Sequence, residues 1–310
     1  LQYLCSNNIK DTPGTTTYTQ MLNKNGGIEA DLTVTCLSIN EFRIITGSAV
    51  REHDKKHIRK FLSKNVNFKD ITDDYSCFGI FGPKSRELLT KIVGNEFTNK
   101  QFPFGTGKTL NFNGVSIWFQ RLSYVGELGW ELYIPIKNAK SIYEIISKEG
   151  DSFDLVHAGA HAMDIMRMEK GYLHWGHDIS PGENPYEAGL GFAVKINKEH
   201  DFIGKKSLIA LKDKKKKQFA MFTLDQANPG YPLLLHDEPI YYEGKIVGET
   251  TSGNFSFNYN KNMAFGYIKS NINIKVAKDH FFEIEVEKIK YKAYLETISL
   301  HDPKNSLIKS

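Results

Sequence analysis

Hydrophobic and polar residues alternate along the first part of the chain in a pattern that predicts a small sheet covered by a helix. Segments 15–21, 28–35 and 41–46 are rich in β-branched residues, and Asn-Gly-Gly at 25–27 is a hairpin turn signal between the first two. An apolar spacing of three and four residues over 49–62 predicts the covering helix. A hairpin, a third strand and a helix make an α+β arrangement.

A second unit of the same kind follows. Its pattern predicts a strand at 75–81 and helices at 84–93 and 138–147. Between them, two runs of alternating apolar residues predict a strand, a turn and a strand around Arg121–Pro135: Trp118, Leu122 and Tyr124, then Trp130, Leu132 and Ile134. Glu131 falls inside the second strand, where a carboxylate is paired, exposed on the other face, or reserved for a ligand.

The rest of the chain predicts one more helix and then a domain built from strands. The helix runs from His157 to Lys170 and ends at Gly171, a residue suited to a helix C-cap. Short strands then recur at fairly even spacing, which is typical of a small barrel or sandwich: 219–224, 239–242, 245–251, 263–268 and 281–286. We therefore expect two domains, at residues 1–211 and 218–310.

Length, composition and charge argue against several classes of protein. The 310-residue chain exceeds the usual single-domain size, and no apolar run reaches the ~18 residues that span a bilayer. The net charge of +4 comes largely from a lysine-rich run at 212–217, which predicts a solvated linker and no nucleic-acid surface. Three cysteines without C-x-x-C spacing argue against a disulfide framework and a zinc site, and favour a reducing compartment.

The start of the chain also carries expectations. The first residue is Leu1, and residues 1–5 have the pattern of a helix end already under way. We therefore expect an N-terminally truncated fragment. No signal-like segment is visible, so the expected location is the cytoplasm, or the mitochondrial matrix if the source is eukaryotic.

Four segments resemble the folate-binding glycine-cleavage T-protein, or aminomethyltransferase, family: Tyr18–Val34, Arg121–Pro135, Arg167–Asp178 and Thr251–Gly253. More narrowly, Gly171–Ile179 and Glu187–Lys195 are similar to the C-terminal half of dimethylglycine and sarcosine dehydrogenases, where an FAD-dependent domain precedes a T-protein-like domain. The resemblance covers almost the whole chain. It implies helix-covered antiparallel sheets followed by a small C-terminal β-barrel, as three sub-domains in a ring with folate in the central hole.

The resemblance implies tetrahydrofolate-dependent one-carbon transfer, and three hypotheses stay open. The chain could capture the one-carbon unit of an oxidised N-methyl amine as 5,10-methylenetetrahydrofolate, with FAD held only by an upstream domain. It could be a free-standing aminomethyltransferase of the glycine cleavage system. It could also bind folate or a partner without turnover, although retention of Asp31 and Glu131 argues against this. The implied partners are folate and an amine-derived one-carbon unit, with no nucleic acid and no membrane.

Site residues are implied by the same resemblance. Asp31 matches an acidic residue beside the reacting folate nitrogens, where a carboxylate can stabilise cationic species and take the released proton. The residues that match positions around the folate are Tyr18, Tyr124, Glu131, Arg167 and Trp175. A reduced pterin is flat and has a donor edge, so Glu131 can accept paired hydrogen bonds while aromatic rings stack on it.

Each of these residues has an alternative structural interpretation. Asp31 could be an ordinary solvent-facing strand residue, and Glu131 could pair with Arg121 in a surface salt bridge worth little. Arg167 and Glu169 could lie on a solvated helix face. Tyr18 and Trp175 could simply belong to the hydrophobic core. His157 and His161 are spaced i, i+4 as in a metal site, but no Glu-x-x-His or nearby cysteine completes one, so no metal is predicted.

Overall fold

The computed structural model describes residues 1–226 and 228–310. Its first unit is an antiparallel sheet with strand order β1-β2-β3. Its elements confirm the predicted pattern: β1 (Thr16–Leu22), β2 (Ile28–Ser38), β3 (Glu41–Ile45) and the covering helix α1 (Arg51–Lys60). Gly26 has a φ of 88° in the hairpin turn, and a Cβ on Gly27 would lie 2.0 Å from the Pro181 carbonyl oxygen. This turn therefore requires both glycines.

The second unit is a four-stranded antiparallel sheet with strand order β4-β7-β6-β5. Its elements are β4 (Tyr75–Phe81), α2 (Ser85–Val93), β5 (Gly107–Phe112), β6 (Val115–Gln120), β7 (Gly129–Pro135) and α3 (Ala139–Gly150). One face of the sheet packs against both helices around Trp130, whose ring meets that of Phe97 edge to face at 5.3 Å. That leaves the other face free to meet the first sheet.

One strand boundary in this unit was predicted wrongly. Strand β6 ends at Gln120, and residues 121–128 form a loop that contains Leu122 and Tyr124. The chain leaves the sheet because the Arg121 side chain turns inward, where it donates to the carbonyl oxygen of Phe102 at 2.7 Å. The hydroxyl of Ser123 then accepts from the Glu127 amide at 3.1 Å, which closes the loop.

A single helix, α4 (Ala160–Lys170), connects the second sheet to the rest of the chain. It starts three residues after the predicted His157, because Gly159 is fully extended. Gly171 has a φ of 77° and donates to the carbonyl oxygens of the last turn, so the predicted C-cap is confirmed. Residues 1–5 form one turn, in which the amides of Leu4 and Cys5 donate to the Leu1 carbonyl oxygen at 3.0 Å, and Cys5 then bridges to Met21; the helix end predicted here stays a prediction.

The C-terminal part is a closed six-stranded barrel with strand order β10-β11-β8-β13-β12-β9. After α5 (Lys205–Leu211), its elements are β8 (Lys217–Leu224), β9 (Pro239–Tyr242), β10 (Lys245–Ser256), β11 (Lys261–Lys269), α6 (Ile274–Ala277), β12 (Phe281–Val286) and β13 (Ile289–Glu296). The barrel and the α+β fold class are confirmed. Strand β13 was missed, and the domain limits 1–211 and 218–310 stay a prediction.

The lysine-rich run is exposed, as its composition predicts. Its residues 212–216 lie between α5 and β8. The three cysteines are free thiols, of which Cys5 and Cys36 are buried and Cys77 is exposed. Within residues 1–226 and 228–310, no helix is both long and apolar enough to cross a bilayer.

Candidate functional site

Asp31 lies directly opposite Gln20 in the register of β1 and β2, and the amide Nε2 of Gln20 donates to its Oδ1 at 2.8 Å. Burial raises the pKa of Asp31 from 3.8 to about 6, although the side-chain bonds from Gln20 and Tyr18 lower it, and the charge of Asp54 adds a further increase. A carboxyl group with this pKa is partly ionised near neutral pH and can exchange a proton there. Asp31 is therefore not an ordinary solvent-facing strand residue.

Two tyrosines lie close to this carboxylate. Tyr18 shares the face of Asp31 because it precedes Gln20 by two residues, and its ring stacks on Phe192 with centroids 6.1 Å apart. Tyr124, in the loop 121–128, donates its hydroxyl to the Leu173 carbonyl oxygen at 3.1 Å. Burial raises the pKa of both tyrosines, and the negative charge of Asp31 raises each pKa further, so Tyr124 lies within electrostatic range of Asp31.

Glu131 lies on β7 opposite Gln120 of β6. The hydroxyl of Tyr133, two residues along the same strand, donates to its Oε2 at 2.6 Å. Burial raises the pKa of Glu131, while the bond from Tyr133 lowers it. Glu131 is not paired with Arg121, whose guanidinium instead bonds to Asn99, the Phe102 carbonyl and the Ser310 carbonyl.

The two sheets meet face to face through Gln120. Its amide Nε2 donates to the hydroxyls of Thr16 at 3.2 Å and Thr35 at 3.0 Å, which lie on the first sheet. Strand alternation places Thr35 on the same face as Asp31, and cross-strand pairing places Gln120 on the same face as Glu131. Asp31 and Glu131 therefore lie on the two sheet surfaces that face each other, and the cleft is defined as the region between these surfaces.

Trp175 lies at the hairpin end of the first sheet, beside the start of the central strand β2. Its indole Nε1 donates to the Ile28 carbonyl oxygen at 3.1 Å, and its ring is 5.1 Å from that of His53. It packs with Tyr18 in a shared apolar cluster, so both rings belong partly to the core. The hydrogen bond fixes the indole in place, which leaves a rigid flat surface beside the hairpin.

Arg167 is placed differently from the other predicted residues. Its side chain is 2% exposed, so the interpretation as a solvated helix face is wrong. The guanidinium donates to Asp164 at 2.8 Å, to Asp178 at 2.5 Å and to the Ser252 hydroxyl at 2.8 Å. Glu169 is equally buried, and accepts from the Ser256 hydroxyl at 2.6 Å. Both side chains attach α4 to strand β10 of the barrel.

Three further residues at the site were not predicted from the sequence: Gln20, Tyr133 and Asp178. The strand pattern could have indicated the first two: Gln20 lies directly across from Asp31, and Tyr133 lies two residues after Glu131 on the same strand. Asp178 gave no such signal, since its partners Thr251 and Ser252 are more than seventy residues away. Among the residues that the structure describes, no group of three histidine, cysteine, aspartate or glutamate side chains is arranged to hold a metal ion.

Two family profiles match the sequence. Residues 1–198 match the GCVT N-terminal domain, and residues 217–297 match the glycine cleavage T-protein C-terminal barrel domain. A solved structure, the glycine cleavage system aminomethyltransferase T from Bartonella henselae, superimposes with a TM-score of 0.81 and covers 98% of this chain and 81% of its own. At 21% sequence identity, that likeness concerns the fold.

Several curated proteins are also similar in sequence. The human mitochondrial dimethylglycine dehydrogenase is 36% identical over 84% of this chain, and the human mitochondrial sarcosine dehydrogenase is 32% identical over 99%. This chain spans only 30% and 35% of the length of those two proteins. An aminomethyltransferase from Halothermothrix orenii is 31% identical over 87% of this chain and 74% of its own length.

Proposed function

Because the chain belongs to the glycine cleavage T-protein family, we propose that it binds a reduced folate between its two sheets and passes a one-carbon unit to it. The observation that carries the proposal is the pair of carboxylates on facing walls of the cleft, Asp31 and Glu131. Each is buried enough that its pKa is raised, which is characteristic of functional carboxyl groups.

The side chains in the cleft fit such a ligand. Glu131 would accept from the donor edge of the pterin, and Tyr133 keeps one of its oxygens oriented. Tyr124, Tyr18 and Trp175 offer flat surfaces for the ring system and for the aminobenzoyl group. Tetrahydrofolate supplies the nitrogen nucleophiles that carry the one-carbon unit. Contact between Arg167 and the folate stays a prediction, because the guanidinium is bonded to Asp164, Asp178 and Ser252.

Asp31 would act as the general base. Formation of a bond from a folate nitrogen to an electrophilic carbon releases a proton, and a nearby carboxylate with a pKa of about 6 is suited to receive it at neutral pH. The same negative charge stabilises the cationic carbon species before attack. Gln20 holds the acceptor oxygen in place during this exchange.

The source of the one-carbon unit is proposed from the relatives. Similarity to dimethylglycine and sarcosine dehydrogenases over 84% and 99% of this chain favours an N-methyl amine that is oxidised by a separate flavin-dependent domain. The mitochondrial location of both dehydrogenases favours the mitochondrial matrix for a eukaryotic source. The Halothermothrix orenii aminomethyltransferase, which this chain covers to 74%, favours transfer from an aminomethyl carrier protein as the second candidate.

Titration with tetrahydrofolate tests the proposal. We expect saturable quenching of tryptophan fluorescence, because Trp175 is fixed at the hairpin end of the first sheet. Asp31→Asn should bind within about threefold of the native protein but lose ~10²–10⁴-fold in methylenetetrahydrofolate formation from formaldehyde. Asp279→Asn, an exposed barrel substitution, is the control and should behave as native. Activity with formaldehyde but none with an aminomethyl-lipoyl carrier would favour the first source, and the reverse result the second.

A further inference from the structure

Gln20 has a buried amide that is only half satisfied. Its side chain is 0% exposed, and its Nε2 donates to Asp31 Oδ1 at 2.8 Å. Its Oε1 is also buried, and within residues 1–226 and 228–310 no donor reaches it. Buried polar atoms are nearly always hydrogen-bonded, so an unpartnered amide oxygen beside a candidate base requires an explanation.

The two ends of this amide are chemically different but sterically alike. Turning the amide by half a rotation about its last side-chain bond exchanges the oxygen and the nitrogen without changing its shape. Because Oε1 has no partner in the described chain, rotation breaks the bond from Nε2 to Asp31 and the contact of the amide with Tyr18, and costs Oε1 nothing. An ionised carboxylate only accepts hydrogen bonds, whereas a protonated carboxyl group also donates one. The nitrogen therefore suits the ionised form of Asp31 and the oxygen suits its neutral form.

We propose that Gln20 is a positioning residue that keeps Asp31 hydrogen-bonded in both protonation states by turning its amide when the carboxyl group gains a proton. The inference rests on the proposed role of Asp31 as a base. When the substrate nitrogen loses its proton, the proton binds to a carboxylate oxygen of Asp31. The resulting hydroxyl then donates to Gln20 Oε1, and the amide turns back when the proton leaves to water.

Among the groups that face Asp31, the hydroxyl of Tyr18 also bonds to the carboxyl group, and a phenol can donate to its ionised form or accept from its protonated form. Tyr18 on β1 and Tyr124 from the loop 121–128 are phenols whose pKa values burial raises, so both remain neutral. Asp54 of α1 adds negative charge, but its two carboxylate oxygens bond to Thr46 and His53. Gln20 lies directly opposite Asp31 in the strand register, and its side chain carries an amide with both a donor and an acceptor end.

Carbon-13 NMR of aspartate-labelled, ligand-free protein tests the inference without relying on folate turnover. Asp31→Asn identifies the Asp31 signal, and nitrogen-15 signals report the Gln20 side-chain amide. We expect the Gln20 amide signals to shift with the same midpoint as the Asp31 carboxyl. Amide signals that stay constant while Asp31 titrates would overturn the inference.

Substitution provides the second readout. Gln20→Met keeps the length of the side chain and removes its hydrogen bond to Asp31. The titration midpoint of Asp31 should then rise by roughly half to one pH unit, because hydrogen bonds to ionised groups are stronger than those to neutral groups. The pH profile of kcat should move with it, and kcat should fall about tenfold, which is ~1.4 kcal/mol, while KM for folate changes less than twofold. Met21→Leu, on the opposite face of β1, is the control and should leave the profile unchanged.

Gln20→Glu keeps the inference testable if the methionine variant does not fold. It preserves the shape of the side chain and places two carboxyl groups together, which should share one proton and titrate in two separated steps. A single step at the native midpoint would overturn the proposed contact. If the native protein shows the expected NMR titrations but no folate turnover, the proposed function is contradicted and the hydrogen-bond exchange at Asp31 is not.

Discussion

Arg167 Nη1 and Asp178 Oδ2 are 2.5 Å apart in an ion pair that is almost completely buried, with side-chain exposures of 2% and 0%. Asp178 also accepts from the hydroxyls of Thr251 and Ser252 on the barrel strand β10. The pair therefore ties α4 and the loop after it to the barrel. Burial lowers the pKa of Arg167, but the charges of Asp178 and Asp164 outweigh it, so the guanidinium stays charged.

We expect Arg167→Met to destabilise the protein by ~3–5 kcal/mol, because it leaves Asp178 buried and unpaired. Urea unfolding followed by circular dichroism measures the loss. Arg51→Met is the matched control, since its partners Asp70 and Asp73 lie nearer the surface and exposed pairs contribute about 0–1 kcal/mol. Equal losses in the two variants would show that the buried pair is not what holds the domains together.

Asp31 should reduce stability when it is ionised. Its pKa is raised from 3.8 to about 6 in the folded chain, so the native state binds the proton more tightly than the unfolded state does. Stability is then highest below the unfolded pKa and falls as pH rises toward 6. Asp31→Asn should be more stable than the native protein by roughly 1–3 kcal/mol near pH 8, and by almost nothing near pH 3.5.

The measurement is urea unfolding of both proteins across this pH range. Asp279→Asn is the control and should show no pH-dependent difference from the native protein, because this exposed side chain makes no buried contact. A stability difference for Asp31→Asn that is constant with pH would mean that the carboxyl group is not responsible.

The elements of the fold followed largely from local pattern. The hairpin around Gly26 and the C-cap at Gly171 were found because each needs a positive φ that glycine adopts without cost. The error at Tyr124 arose because a packed loop can continue the apolar alternation of the strand before it. Strand β13 was missed because Lys290 and Lys292 point outward and are exposed, which resembles a solvated segment.

The site depended on contacts that local pattern does not contain. Candidate residues Asp31 and Glu131 came from family resemblance, and their placement on facing walls required the register of two sheets joined by Gln120. The role of Arg167 depends on Asp178 and Ser252, which are 11 and 85 residues away along the chain. Hydrophobic periodicity reports which face of an element is buried, but it does not report which element covers it.

Tyr133 should set the pH range over which Glu131 can bind a donor edge. Tyr133→Phe removes the 2.6 Å hydrogen bond that lowers the pKa of Glu131, so that pKa should rise further above its ordinary value. The ionised form is then lost at higher pH than in the native protein. We expect folate affinity to fall more near pH 6 than near pH 8, measured by fluorescence titration. Tyr143→Phe, on the exposed side of α3, should match native, and a pH-independent loss would contradict this role for Tyr133.

The C-terminal segment should hold the loop that carries Tyr124. Lys170 and Asp302 form a buried pair at 3.3 Å, and the adjacent His301 contacts Glu127 of that loop at 2.7 Å. Burial raises the pKa of Asp302, but hydrogen bonds from Leu307, Ser306 and Ile308 lower it well below its ordinary value. Its stabilising effect is therefore present above the unfolded pKa of 3.8 and is lost as pH falls toward the folded value.

Asp302→Asn should therefore loosen both the C-terminal segment and the loop 121–128 at neutral pH, because Lys170 is left buried without its counter-charge. Amide hydrogen exchange measures the effect directly, and the exchange of residues 121–128 should accelerate by about tenfold or more, which is ~1.4 kcal/mol. Asp213→Asn in the exposed lysine-rich run is the control and should exchange as native. Faster exchange confined to residues 299–310 would show that the segment is anchored by Lys170 but does not restrain the Tyr124 loop.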